Sequence, residues 1–187
     1  SMINVIPFRR LSGNWILCVL LCCASLGSET AVNAQATTPA NVPTASAVES
    51  VTKLISGIYK ADYEAAKTPP QKQALAKKLR DDARKTNDDA TARFPMFQVA
   101  RNIAIGIGDI DLTLQLTGDL AANYQLQRSN EIQDVFDEFS RKAKNANDFA
   151  SLLRYMGREL TLLLKANQLV AAQSLVELGL ATAKKSK

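Results

Sequence analysis

The amino-acid sequence predicts an all-α protein, built of antiparallel helix pairs stacked as a short solenoid or bundle behind a signal peptide. Three observations carry this expectation. Aromatic residues make up only 6% of the 187, and Ala and Leu dominate, which favours helices over a β-sandwich. From about residue 47 onward, apolar residues recur at the three- and four-residue spacing of an amphipathic helix. The breaks between those stretches are short and carry the Pro, Gly, Asn and Asp that start and stop helices.

Residues 1–36 read as the signal peptide. Arg9 and Arg10 supply a positive start, and Trp15 to Leu26 form an apolar run of about a dozen residues, the length of a signal-peptide core and short for a bilayer span. Small residues follow, with small-x-small cleavage sites ending at Ala34 and at Ala36. Residues 37–46, rich in Ala, Thr and Pro, have no apolar period and are expected to be a flexible tether. Residues 47–187 are then the helical domain.

Within that domain Val48, Val51, Leu54, Ile55 and Ile58 fall on one helical face. Thr68-Pro69-Pro70-Gln71 is a helix start, with Thr68 as N-cap, Pro at the first position and Gln71 placed to complete a capping box. Behind it Leu75, Leu79 and Ala83 point inward, while Lys77, Lys78, Arg80, Arg84 and Lys85 point outward. Asn87-Asp88-Asp89 ends this helix and caps the next. Ser129 is positioned to cap a helix burying Ile132, Val135, Phe136 and Phe139. Phe149, Leu152, Leu153, Met156, Leu160, Leu163 and Leu164 form a stripe behind Asn147 or Asp148 as cap. A turn at Lys165-Ala166-Asn167 leads to an answering stripe of Leu169, Ala172, Leu175, Val176 and Leu180, so this pair must run antiparallel.

The segment 103–116 supports two local readings. Ile103, Ile105, Ile107, Ile110, Leu112, Leu114 and Leu116 alternate across Gly108-Asp109 like a β-hairpin. The same residues make two helices if Gly106 or Gly108 is a C-cap and Asp109 an N-cap. The helical surroundings, which supply no covering sheet, select the second. Gly108-Asp109 and Ala166-Asn167, about 58 residues apart, then read as one turn device used twice.

Tyr59 to Leu79, Asp88 to Phe94 and Val99 to Asp109, an Ala/Arg/Glu-rich helix followed by a Gly-Asp turn and another helix, resemble segments of secreted helical-repeat proteins abundant in planctomycete bacteria. The resemblance covers most of residues 50–185 and rests on packing and turn motifs. It implies tetratricopeptide-like antiparallel helix pairs. The chain departs from that pattern at Pro95, which should kink its helix or delay its start, at the β-prone Ile105, Ile107 and Leu112, and at Lys184 to Lys187, where relatives often continue into further repeats.

Composition narrows the chemistry. The chain has no histidine, and its three cysteines, Cys18, Cys22 and Cys23, all lie in the leader. A mature chain therefore has no Ser–His or Cys–His pair, no thiol chemistry and no usual zinc ligands. The formal charge of +5 is mild and dispersed, weak grounds for a nucleic-acid partner. Glu131, Asp134, Asp137 and Glu138 crowd neighbouring helical faces, but a solvated acidic face explains them better than an acid–base pair. The Lys77–Lys85 cluster alternates with Asp81 and Asp82 and reads as a solvated face. Asp109 and Asp111 lack the Gly and Glu of a calcium loop and read as caps, and Gly106-Ile107-Gly108 lacks the third Gly of a dinucleotide fingerprint. Glu159 is the most isolated acid in an apolar stretch, with Arg158 or Lys165 as expected partner. Tyr59, Tyr63, Tyr124 and Tyr155 serve as interface anchors or as the rim of a peptide groove.

No catalytic, cofactor-binding or metal residue stands out, and no cofactor is expected. The expectation is an exported, periplasmic or secreted binding or scaffold module for a protein or peptide partner, touching membrane only through an uncleaved leader. The alternatives are a basic protein holding anionic envelope polymer or lipid, and a carboxylate-dependent glycan hydrolase.

Overall fold

A computed structural model describes residues 38–86 and 88–185, so the expected signal peptide lies outside the described residues. Within them the chain is all-helical: α1 Ala45–Ile58, α2 Lys60–Ala65, α3 Pro69–Lys85, α4 Ala90–Ile107, α5 Ile110–Asn123, α6 Arg128–Lys142, α7 Ala146–Lys165 and α8 Leu169–Lys185. Ahead of α1, the Ala40 N–H donates to the Asn123 carbonyl and the Ala40 carbonyl accepts from Gln125, both at 2.9 Å. No helix among the described residues is long and apolar enough to cross a membrane.

Helix starts follow local side-chain chemistry. At α3, the Gln71 side-chain oxygen accepts from the Lys67 N–H (3.0 Å) and the Thr68 N–H (2.9 Å), satisfying donors that a helix start leaves free. Asp89 caps α4 by accepting from Ala92 at 2.9 Å, and Asp109 caps α5 by accepting from Leu112 at 3.0 Å. Two starts differ from expectation. Helix α7 is capped by Asn145, which accepts from the Asp148 N–H at 3.0 Å while Asp148 accepts from the Lys144 N–H at 2.9 Å; Asp148 is thus the third residue of the helix and not its cap. Helix α6 begins at Gln127 with no side-chain cap, and Ser129 lies inside its first turn.

Pro95 sits within α4 and does not delay its start. Its missing N–H removes one bond to the Thr91 carbonyl, and the ring is instead buried.

Two apolar clusters make the core. The first joins Ile55 of α1, Leu75 and Leu79 of α3, Phe94 and Phe97 of α4, and Leu112, Leu116 and Leu120 of α5. Ala76 and Ala83 of α3 and Ala100 and Ala104 of α4 are wholly buried, and such small side chains let helix axes approach closely. The second cluster joins Leu114 of α5 to Ile132, Val135 and Phe136 of α6, Leu152, Met156 and Leu163 of α7, and Ala172 and Leu175 of α8.

Helix α5 therefore serves both clusters, which explains the hairpin-like alternation. Leu112, Leu116 and Leu120, four residues apart, face one cluster, while Leu114 faces the other. Thr113 and Thr117 are buried between them, their hydroxyls donating to the Asp109 (2.7 Å) and Thr113 (2.9 Å) carbonyls. A helix buried on two sides loses its single stripe, and its apolar residues come to mimic period two.

Gly108 ends α4 at φ 79°, a left-handed conformation that suits glycine. The Gly108 N–H donates to Ile105 (3.2 Å) and the Asp109 N–H to Ala104 (3.0 Å), a Schellman-type closure. Asn167, at φ 55°, closes α7 identically: Asn167 N–H donates to Leu164 (3.1 Å) and Gln168 N–H to Leu163 (2.9 Å). The shared turn is thus real, but Gly108 corresponds to Asn167, one residue later than the sequence alignment placed it.

The outermost helices carry their stripes differently from expectation. On α1, Ile55 is buried and Val48 and Val51 pack beside it, whereas Leu54 and Ile58 are exposed. On α8 the inward residues are Ala172, Leu175 and Thr182, and Leu169, Val176 and Leu180 face out, as does Leu164 of α7.

Candidate functional site

Polar links tie neighbouring helices together. Arg80 and Arg84 of α3 both bond Asp119 of α5, and Gln73 donates to Asp109 at 2.6 Å. Arg101 of α4 bonds Glu131 of α6 at 2.6 Å. Arg128, the first residue of α6, forks onto both carboxylate oxygens of Glu159 in α7 at 3.0 and 3.2 Å, and Ser140 of α6 meets Thr182 of α8 at 3.1 Å.

An open groove of about 700 Å³ lies between the first turn of α6 and the α7–α8 turn with the start of α8. Five side-chain amides line it: Gln127, Asn130 and Gln133 on one wall, Asn167 and Gln168 on the other. Asn130 donates weakly to Gln127 at 3.3 Å. Leu126, Leu169 and Val170 add apolar surface, with Leu169 61% and Val170 83% exposed. The Arg128–Glu159 fork ties the α6 wall to α7, which leads directly into the opposite wall. Amides carry both donors and acceptors, so this lining matches a peptide backbone, while Leu169 and Val170 offer contact to aliphatic side chains.

The sequence-derived candidates fall elsewhere. Glu131 and Glu138 each bond bases rather than another acid, Glu138 meeting Arg141 (2.7 Å) and Lys142 (3.0 Å). Those two bases hold the Glu138 carboxyl below its usual range. Within the Lys77–Lys85 cluster, Lys78 bonds Asp62 at 2.7 Å, and Arg80, expected to face outward, is largely enclosed by Asp119 and Gln115. Asp109 is a cap, and Asp111 accepts from Gln115 at 2.7 Å. Glu159 is ion-paired as expected, but to Arg128 rather than to Arg158 or Lys165. No group of three or more potential metal ligands occurs among the described residues.

Two tyrosines are anchors. Tyr124 is wholly buried, donates to the Ala90 carbonyl at 2.6 Å, and meets Phe94 edge-on at 4.8 Å. Tyr59 donates to Asp82 at 2.8 Å. Burial first, then the hydrogen bond and charge of Asp82, push the Tyr59 phenol up to about 12. A raised acid pKa means that the folded state holds its proton more tightly. The contribution is therefore complete below the ordinary phenol range and is lost as pH rises through the folded value. Ultraviolet titration of phenolate should show one tyrosine ionising near pH 12, and the Tyr59→Phe variant should lack that step.

The residues that matter most here, Arg128, Gln168, Leu169 and Val170, were not singled out for a site by the sequence. One signal was available: Leu169-Val170 precedes Ala171-Ala172, and two adjacent bulky residues cannot both lie under a narrow helical stripe. No protein-family model, curated protein or solved structure matches the chain.

Proposed function

We propose that the chain is an exported, non-enzymatic binding module whose helix pairs stack in the manner of a short tetratricopeptide array. In this reading the groove between α6 and α8 holds an extended segment of a protein partner. One observation carries it: a groove of about 700 Å³ that sets five side-chain amides beside two exposed aliphatic residues. A peptide in extended form exposes backbone donors and acceptors along its length, and amide side chains pair with both. Leu169 and Val170 supply the apolar contact from which most affinity comes. Stacked helices present such surfaces without reactive groups, consistent with a chain free of histidine. Anionic polymer is a poorer fit, because Arg80, Arg84 and Lys78 already bond carboxylates. Export rests on the leader pattern of residues 1–36.

Selection of random linear peptides against the protein tests the groove. Selected peptides should be rich in aliphatic residues, should shift the amide resonances of Gln168 to Ala171, and should lose at least tenfold in affinity to Val170→Asp. Peptides that bind Val170→Asp equally well would reject the groove. Expression with the leader intact should yield a mature chain beginning at Gln35 or Thr37, and an unprocessed N-terminus would reject cleaved export.

A further inference from the structure

A second cavity, remote in sequence from the α6–α8 groove, lies where α2, α3 and the last turn of α4 meet. Its volume is about 230 Å³, roughly that of eight water molecules at ~30 Å³ each, enough for a chain of about eight carbons whose head group lies at the exposed Lys72. Ala66, Leu75, Ile103 and Ile107 form apolar walls, and Gly106 leaves one side without a side chain. The only polar side chains lining it are Tyr63 and Lys72, and no lining residue is acidic.

The polar pair sets the ligand's charge. Neither the Lys72 ammonium nor the Tyr63 hydroxyl bonds any other described residue, whereas nearby Lys78 is neutralised by Asp62 at 2.7 Å and Gln73 is taken by Asp109. Burial pushes the Tyr63 phenol up, so at neutral pH it remains a hydrogen-bond donor. The carbonyl end of α4, which would repel an anion, is partly satisfied: Ala104 and Ile105 accept from Asp109, Gly108 and Lys142. An ammonium and a phenol together present donors and positive charge at an apolar cavity.

The geometry points to a binding site for a small apolar carboxylate, of the size of a short- to medium-chain fatty acid, with its tail against Leu75, Ile103 and Ile107 and its carboxylate between Lys72 and Tyr63. This site is independent of the peptide groove and does not rest on it.

Gly106 allows a clean test. A Cβ added there meets nothing within 4 Å, and Leu is a better helix former than Gly, so Gly106→Leu adds bulk at the cavity wall with room for its Cβ and without weakening α4. The full chain, isotopically labelled, is titrated with sodium octanoate, octanol and octylamine and followed by amide chemical shifts. Octanoate should bind saturably, with a dissociation constant on the order of 0.1–1 mM for so small a ligand. Its shifts should centre on Tyr63, Lys72 and Gly106. Lys72→Gln, an exposed substitution, should weaken octanoate by about fivefold to tenfold and leave octanol unchanged. Gly106→Leu should abolish binding of both while its melting temperature does not fall. Unsaturable octanoate binding, equal binding by Gly106→Leu, tighter binding of octylamine, or shifts centred on Leu54 and Ile58 or on Leu169 and Val170 would each overturn the assignment.

Discussion

Phe136→Ala lowers the unfolding free energy by about 3–5 kcal/mol, the range for truncating a fully buried aromatic residue. Phe136 has no exposed surface and belongs to the cluster that gathers α5, α6, α7 and α8. Truncation removes the ring's transfer free energy and leaves a void bounded by four helices, which cannot all close inward together. Urea denaturation of the variant beside the parent measures the loss. Leu54→Ala is the control: Leu54 is 65% exposed, so its truncation should change stability by only about 0.5 kcal/mol. Comparable effects from the two would mean that burial is not distributed as described. Phe136 does not line the groove, so any fall in peptide affinity should follow only the fraction unfolded.

The helical class, the α3 start, the cap at Asp89 and the Gly108-Asp109 turn were legible because each is decided within about four residues of sequence. The faces of α1 and α8 were not. Periodicity finds a stripe but not its orientation when apolar residues cover more than one face. Leu54 and Ile58 on α1 and Leu169, Val176 and Leu180 on α8 satisfy a helical period while pointing outward. Helix α5 misleads in the opposite direction, because neighbours on both sides demand Leu114 opposite Leu112 and Leu116. The groove escaped detection for a topological reason. Its walls come from residues 126–133 and 167–174, and no local pattern reports that these two segments meet. The partner of Glu159 was missed likewise: Arg128 lies 31 residues away, while Arg158 is its chain neighbour.

Arg128→Met is expected to cost about 2–3 kcal/mol at neutral pH, because it strands Glu159. The Glu159 side chain is only 9% exposed, and both its oxygens are engaged by the Arg128 guanidinium. Losing one partner of a buried pair typically costs about 3–5 kcal/mol. Arg128 is itself 39% exposed, so water screens part of the interaction and the smaller figure applies. If the cost is the stranded charge, it should be recovered by removing that charge: Arg128→Met with Glu159→Leu should regain most of the stability. If the cost were lost packing of the arginine stem, the double variant would be no better than the single one. Urea, being uncharged, is the denaturant for this cycle, since a salt denaturant would mask part of the ionic effect. Function separates from stability in the same pair. Arg128 lines the groove and ties α6 to α7, whose C-terminal turn carries the opposite wall. The double variant should therefore fold nearly as well as the parent yet bind groove-selected peptides more weakly. An apolar pair replaces the lost packing but not the bidentate geometry that holds the two walls in register.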